Sequence, residues 1–487
     1  MTMLLHKRYY LTLFTVLLTV IVSCSKEPVP VLRAVDIENR KMIEITGELT
    51  KPLNFYDADF VVLGGGLGGI AAVLSICSSG RTALLVEETD RIAGCFSYQD
   101  TTIFNENRFV ETSGTSETYQ TFRSLIREWY EENNQTPPRL FSQYFKNIQD
   151  FDSDEFCFET EAALDVINKM LEKNIERGKL TVIKRHKIAK VVTFSNRIAS
   201  LYAIDLDNHV VNQITGWIFI DATRTGSMLS LAGVEHSFGR ESTGSTGEPH
   251  APENPDTLLT NRYLYCPASQ PSGDGDKIVE CYVAELQPRA PESGGEVLRF
   301  PIGMRPRRIR AFTRIDENDI SAETNNGPRA QFFRDSVGIG YQPIYLSPSA
   351  EGSEPLVVET RPFQIPLAAL IPERITNVLA GGRTIGATHV AASAYMAPSV
   401  EWAIGEAAGE AAAYCAGYKI YTHELVQNQE HVRGLQDWLV TKRHIPIYWY
   451  DDVRFEDEDF SEAQLKPFDE SGYHDSRTTL HYRDQSS

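Results

Sequence analysis

The stretch Asp59-Phe60-Val61-Val62-Leu63, run without a break into Gly64-Gly65-Gly66-Leu67-Gly68-Gly69, constrains this chain more than any other feature. Gly64, Gly66 and Gly69 make a G-x-G-x-x-G turn between an apolar strand and a helix expected to run to Ser79. The first glycine permits the tight turn. The second lets the backbone approach a pyrophosphate, and the third lets the helix pack close to the strand. The helix N-terminus then offers N–H groups and partial positive charge to phosphates. Gly80 suits the helix stop. Thr82–Val86 reads as a second short strand, closed by Glu87, 18 residues after Gly69. A carboxylate there can accept hydrogen bonds from ribose hydroxyls. Continuous apolar strands around a helix are the pattern of a parallel sheet covered on both faces. The ligand class is a dinucleotide; the turn by itself does not separate a nicotinamide from a flavin.

Helices are expected at about Ser116–Glu132 and Thr160–Arg177. Three β-prone runs follow, Leu180–Phe194, Arg197–Asp205 and His209–Ile220. The polar pairs Ser195-Asn196 and Asp207-Asn208 between them are hairpin signals, so the region reads as a β-meander. Residues 240–360 turn to Pro, Gly, Ser and charge, and read as an α+β substrate or cap domain. The apolar pattern returns at Phe363–Leu370 and Asn377–Ala380. An Ala-rich helix should run from Pro398, suited to a first turn, to Ala416, with Gly417 as its stop. The expected organisation is a leader at 1–23 and a tether at 24–56. A cofactor domain at 57–239 carries a helical insertion near 100–160, the cap spans 240–360, and the cofactor domain resumes at 361–420. The remainder, 421–487, is an extension with an acidic tail.

The N-terminus has its own logic. Lys7-Arg8 precedes an apolar run, Tyr9–Val22, too short for a comfortable span and suited to a secretory h-region. It ends in Ser23-Cys24, which resembles a bacterial lipoprotein signal and implies lipidation of Cys24 and anchorage to an envelope membrane. With Lys7-Arg8 in place of twin arginines, the chain is expected to cross unfolded and to acquire its cofactor afterwards. The formal charge of -19 speaks against a nucleic-acid partner, because phosphate backbones demand basic surface. None of the seven cysteines is spaced C-x-x-C, which argues against zinc and iron–sulfur sites, and no metal is expected. Cys77 and Cys415 read as core residues; a Cys266–Cys281 disulfide is left open.

The position of the meander and the late segment Asn377-Val378-Leu379-Ala380-Gly381-Gly382-Arg383, followed by the Pro398 helix, favour FAD over NAD. A helix N-terminus near the flavin would stabilise negative charge on the reduced ring. Over most of 57–420 the chain resembles the bacterial FAD-dependent oxidoreductase family of the glutathione-reductase-like flavoprotein fold. The resemblance is carried by Asp59–Glu88, Glu111-Thr112-Ser113-Gly114-Thr115 and the helix after it with Arg123 and Tyr130, Phe219–Glu241, Arg305–Ile320 and Phe363–Ala413. It implies an α/β, Rossmann-like FAD-binding domain with an interleaved cap. The implied cofactor residues are Gly64, Gly65, Gly66, Leu67, Gly68, Gly69, Glu87, Glu88, Gly94, Asp221, Ala222, Gly382 and Arg383. Two departures stand out. Gly94-Cys95 replaces a Gly-Gly pair, and Arg224-Thr225-Gly226-Ser227 replaces Gly-Asp-Gly-Asp after Thr223.

Candidates for the chemistry are fewer. Arg307 and Arg308 match the family's paired arginines; guanidinium groups can orient a carboxylate or hydroxyl substrate and stabilise charge on reduced flavin. His389, between the late strand and the Pro398 helix, could move a proton during oxidation. His236 and His250 are weaker candidates. The expected activity is flavin-dependent oxidation of a small polar substrate, hydroxylated or sugar-like, with the electron acceptor open. The competing reading is a binding lipoprotein on a flavoprotein scaffold that has lost its redox chemistry.

Overall fold

A computed structural model describes residues 29–36, 38–39, 41–98, 101–103, 106, 110, 114–135, 139–141, 157–255, 262–265, 270–271, 277–280, 282–285, 307–325, 330–346 and 356–449. Cys24, Arg305, the Cys266–Cys281 pair, Glu111-Thr112-Ser113 and the acidic tail lie outside the described residues.

The first described elements differ from the expected tether. Val31–Asp36 (β1) and Lys41–Thr46 (β2) pair antiparallel. Every second residue of β1 is buried, the period that one covered sheet face imposes. Leu32, Ala34, Ile43 and Ile45 pack on Ile204, Leu206 and Val211 of the meander. The buried guanidinium of Arg185 locks the hairpin down, bonding Asp36 at 2.9 Å, Asp207 at 3.1 Å and also Glu38. That contact holds the Asp36 carboxyl far below the usual carboxylate range.

The βαβ unit forms as expected: Asn54–Leu63 (β3), Leu67–Ser78 (α1) and Ala83–Val86 (β4). The expected run Leu180–Phe194 divides at Lys184-Arg185, where Arg185 has a φ of 60°. Leu180–Ile183 (β5) lies parallel to β4 at the sheet edge. His186–Phe194 (β6), Arg197–Asp205 (β7) and Val211–Asp221 (β8) form the antiparallel meander. Ser195 and Asn196 both have positive φ, 48° and 60°, as the two-residue turn between twisted strands requires. The strand order is β5-β4-β3-β8-β7-β6. β8 branches: its first half pairs with β7, and its last residues pair in parallel with Val378–Ala380 (β9).

Glu117–Glu132 (α2) and Thr160–Glu176 (α3) match the two expected helices. Described residues of 240–360, among them Ile315, Ile320, Val337 and Ile344, join the same apolar cluster as α1 and β3. Ser336–Gly340 pairs with Phe363–Pro366.

His389–Ala394 (α4) precedes Pro398–Tyr418 (α5), whose alanines favour helix and which is buried nearly all round. α5 ends two residues later than expected: Lys419, not Gly417, takes the left-handed conformation, with a φ of 58°. α5 lies on α1 at backbone contact. A Cβ on Gly405 would come within 1.9 Å of the Gly68 carbonyl oxygen, and one on Gly409 within 2.5 Å of that of Ala72.

Candidate cofactor and active site

The glycine turn contains glycines of two kinds. Gly64 has a φ of 94°, and a Cβ there would lie 2.5 Å from the Ala222 carbonyl oxygen. Cβ atoms on Gly68 and Gly69 would fall 1.9 Å from Gly381 O and 1.8 Å from Gly64 O. Close packing of strand, helix and β9 therefore demands these three. Gly66 is different: a Cβ there would meet nothing nearer than a Glu401 oxygen at 3.5 Å, and one on Gly382 nothing nearer than 3.6 Å. The fold leaves open the space in front of Gly66 that a bound pyrophosphate needs.

Glu87 is buried at the end of β4. One of its oxygens accepts the Gly65 N–H, and the other accepts the Thr89 N–H at 2.9 Å and hydroxyl at 2.7 Å. Burial pushes its carboxyl up, and these donors oppose that shift. Glu87 thus fastens the turn to the strand end as well as facing the cavity.

That cavity is lined by Gly64, Gly66, Leu67, Glu87, Glu88, Gly94, Ala222 and Arg383 from the expected set. Gly68 and Gly69 are held in the backbone packing just described, a Cβ on Gly65 would meet Ile92 at 3.0 Å, and Gly382, which is not in the lining, lies 3.6 Å from Glu401 by the same measure. Asp221, expected to meet the cofactor, folds back instead: its carboxylate accepts the Thr223 N–H at 2.9 Å and hydroxyl at 2.6 Å. It is fully buried, and burial pushes its carboxyl up to about 6.

The lining also includes residues that sequence reasoning missed: Cys95, His186, Lys187, Arg224 and Glu401. Glu401, in the first turn of α5, pairs with Arg383 at 2.9 Å, as the helix N-terminus favours. The first-turn position after Pro398 was the available signal. Burial, followed by the like charge of Arg383, pushes Arg224 down to about 10. Arg224 and Arg383 bring two guanidinium groups to the cavity, donors of the kind that bind a diphosphate. Lys187 pairs with Glu88 at the other end of the cavity. Burial pushes the Cys95 thiol up to about 11, so it stays a neutral thiol. Open glycines, turn N–H groups and arginines fit an FAD diphosphate, and the carboxylates of Glu87 and Glu88 in the same lining are acceptors of the kind that ribose hydroxyls require.

The three expected catalytic residues do not line this cavity. Arg308 is 1% exposed, and a buried guanidinium must be paired. It donates to Ala387 O at 3.0 Å, Gly239 O at 2.9 Å and Glu241 at 2.9 Å. These bonds tie Arg308 to three separate segments. The backbone N–H of His389 donates to the same Glu241 oxygen at 2.9 Å. Arg307 is half-buried and donates to Thr225 O at 2.9 Å, beside the Arg224 turn. Buried carboxylates continue this layer: Glu248 accepts the Thr388 hydroxyl and the Glu317 N–H, and Glu317 bonds His250. His236 bonds Val234 O. Among the described residues no cluster could hold a metal ion.

A glycine turn joining a parallel strand to a helix, with a strand-end acid and an open cradle in front, defines a dinucleotide-binding protein. The profile of one family, FAD dependent oxidoreductase, matches residues 59–292 and 298–439. The chain belongs to that family: it is an FAD-dependent oxidoreductase, and FAD is its cofactor. No curated protein matches it. Among solved structures it is similar to E. coli quinol fumarate reductase FrdA, at 12% identity over 85% of this chain and 78% of that one, with a TM-score of 0.35. A geranylgeranyl bacteriochlorophyll reductase-like protein from Thermoplasma acidophilum matches at 9% identity over 80% of this chain and 85% of that one, with a TM-score of 0.34. The chain spans only 41% of the myxobacterial chondrochloren halogenase CndH, at 18% identity, 38% coverage of this chain and a TM-score of 0.26. At such scores these likenesses carry no argument about substrate.

Proposed function

We propose that the protein is a dehydrogenase of the glutathione-reductase-type flavoprotein fold, anchored to the bacterial envelope through a lipid on Cys24. Its substrate is a small polar molecule, hydroxylated or sugar-like, and its electrons leave to a separate acceptor. The observation that carries the cofactor side is the contrast at the turn: Gly66 is a glycine the packing does not need. FAD, when bound, accepts the hydride equivalent that the substrate gives up. Gly64, Gly66, Leu67, Arg224 and Arg383 hold its diphosphate, and Glu87 with Glu88 holds the ribose. His389 takes the proton released as the substrate is oxidised. Arg308 is a positioning residue: it fixes Glu241, which in turn holds the His389 backbone. Arg307, beside the Arg224 turn, is the remaining cation able to orient a polar substrate. Family membership favours this reading over a redox-inactive binding protein.

The test is the absorption spectrum of the purified protein before and after denaturation, for wild type, Gly66→Ala and Gly66→Glu. Gly66→Ala should fold, since no atom lies closer than 3.5 Å to the added Cβ, and far-UV circular dichroism of Gly66→Glu separates lost binding from lost fold. Wild type should carry flavin, Gly66→Ala less of it, and Gly66→Glu none. Full flavin content in Gly66→Glu would remove the turn from the FAD site.

A further inference from the structure

Seven of the fifteen exposed large apolar side chains among the described residues fall within residues 29–55. Val29 is 65% exposed, Met42 60%, Leu49 73%, Leu53 66% and Phe55 71%. Single exposed apolar residues need no explanation, but a concentration of them marks a contact surface. Val31, Val35 and Met42 lie on the outward side of the β1–β2 hairpin, and Leu53 and Phe55, two residues apart in extended chain, share one exposed side of the entry to β3. The inward side, Leu32, Ala34, Ile43 and Ile45, is already covered. Across the hairpin, exposed Val35 faces exposed Met42. Val29 reaches the short turn that bears Leu49: the Gly47 N–H donates to Pro30 O at 2.9 Å, and a Cβ on Gly47 would touch Val29 at 3.7 Å.

What covers this surface follows from chain length. Four residues, Ser25 to Pro28, separate Cys24 from Val29. At ~3.6 Å per residue at most, Val29 lies no more than ~18 Å from Cys24. An acyl chain on Cys24 therefore brings the apolar face down to the lipid headgroups. The face suits that neighbour. Arg33 pairs with Glu44 and Lys51 with Glu48, so it carries little net field, although the whole chain has a charge of -19. No helix among the described residues is long and apolar enough to cross a membrane.

We propose that the outer face of residues 29–55 is a second membrane contact. In it Val29, Leu49, Leu53 and Phe55 rest in the interfacial zone of a phospholipid bilayer beside the Cys24 anchor. The proposal rests on the lipoprotein reading of Cys24. Arg185 holds the hairpin on the meander, and Glu38 accepts the Asp90 N–H beside the Glu87–Thr89 strand end. The contact therefore fixes the orientation of the cofactor domain and does not merely restrain its distance.

The full chain, flavin-loaded, is reconstituted in phosphatidylethanolamine–phosphatidylglycerol vesicles that contain nitroxide-labelled lipid. Leu53→Cys, or Tyr418→Cys at an exposed site on α5, carries a nitrobenzoxadiazole label; the parent chain labelled in parallel supplies the background. The Leu53 label should emit further to the blue and be quenched by lipid nitroxide at least about threefold more than the Tyr418 label, as an interfacially buried site requires. Adding Leu49→Asp and Phe55→Asp should abolish the difference while flavin content and vesicle association persist. Equal quenching at both sites overturns the proposal. So does a Leu53 label shielded from both lipid nitroxide and aqueous iodide, which would mark a protein partner or a second copy. Failure of the parent chain to co-sediment with vesicles overturns the lipid-anchor reading itself, and the proposal with it.

Discussion

The turn at Gly64–Gly69 and the layer around Glu241 are built by opposite means. At the turn, backbone meets backbone: Gly68 lies against Gly381 and Gly405, and Gly69 against Gly64. Around Glu241, long polar side chains converge from distant segments: Arg308 on Glu241, Glu248 on Thr388, Glu317 on His250. Backbone contacts tolerate no added atom, whereas side-chain contacts tolerate a change of size but not a lost charge. One region is specified by what is missing, the other by what is paired.

Four substitutions test that contrast, from the largest expected effect on stability to the smallest. Gly405→Ala forces a Cβ to 1.9 Å from the Gly68 carbonyl oxygen. With backbone on both sides it cannot relax, so the cost should exceed the roughly 1–3 kcal/mol of ordinary overpacking. The expected outcome is loss of soluble, flavin-bearing protein on expression. A well-folded Gly405→Ala variant would mean that α1 and α5 are not in backbone contact.

Arg308→Ala removes a buried guanidinium from the partly buried Glu241, which keeps Arg314 at 3.3 Å, and leaves the Ala387 and Gly239 carbonyls without their donor, which should cost about 3 kcal/mol. Urea denaturation measures it. A change below about 1 kcal/mol would give Arg308 the rank of an exposed pair.

Glu406→Gln should stabilise. Glu406 is buried on α5 and accepts the Thr118 hydroxyl at 2.6 Å; burial pushes its carboxyl up from 4.5 to about 7. Folded protein keeps a proton there that unfolded chain releases above pH 4.5. The wild type therefore loses stability as pH rises from 4.5 to 7, and the glutamine variant does not. At pH 8 the variant should be more stable by roughly 2–3 kcal/mol, with no difference near pH 4. Parallel stability curves for the two proteins would sink this.

His389→Ala should change stability least, by about 1 kcal/mol, because the bond to Glu241 uses its backbone N–H. The rate of flavin reduction by substrate, divided by flavin content, should fall about a hundredfold or more. An unchanged ratio in stopped flow would leave His389 a structural residue and move attention to Arg307.

The same contrast explains what could be read from sequence. The βαβ unit, α2, α3 and the Ser195-Asn196 turn were legible because spacing, periodicity and turn chemistry are local. Arg224 and Glu401 were not, because their place at the cavity depends on segments far apart in the chain. Arg308 read as a cation that orients substrate, since nothing local shows that it will be buried against Glu241. The hairpin at 31–46 is short and follows a proline-punctuated segment, and exposed Val31, Val35 and Met42 on its outer face blur the period-2 alternation. The division of Leu180–Phe194 turned on Arg185, whose left-handed backbone is stabilised by partners as distant as Asp36.

The contact between Gly68 and Gly405 also has a temporal meaning. A polypeptide that emerges N-terminus first displays the phosphate turn long before the helix that must lie against it exists outside the ribosome or the export channel. During that interval α1 has one face bare, and the cradle lacks Gly382, Arg383 and Glu401. The nucleotide turn is written early in the chain and its counterpart late, so a chain truncated before α5 would carry the fingerprint without Glu401, the partner of Arg383.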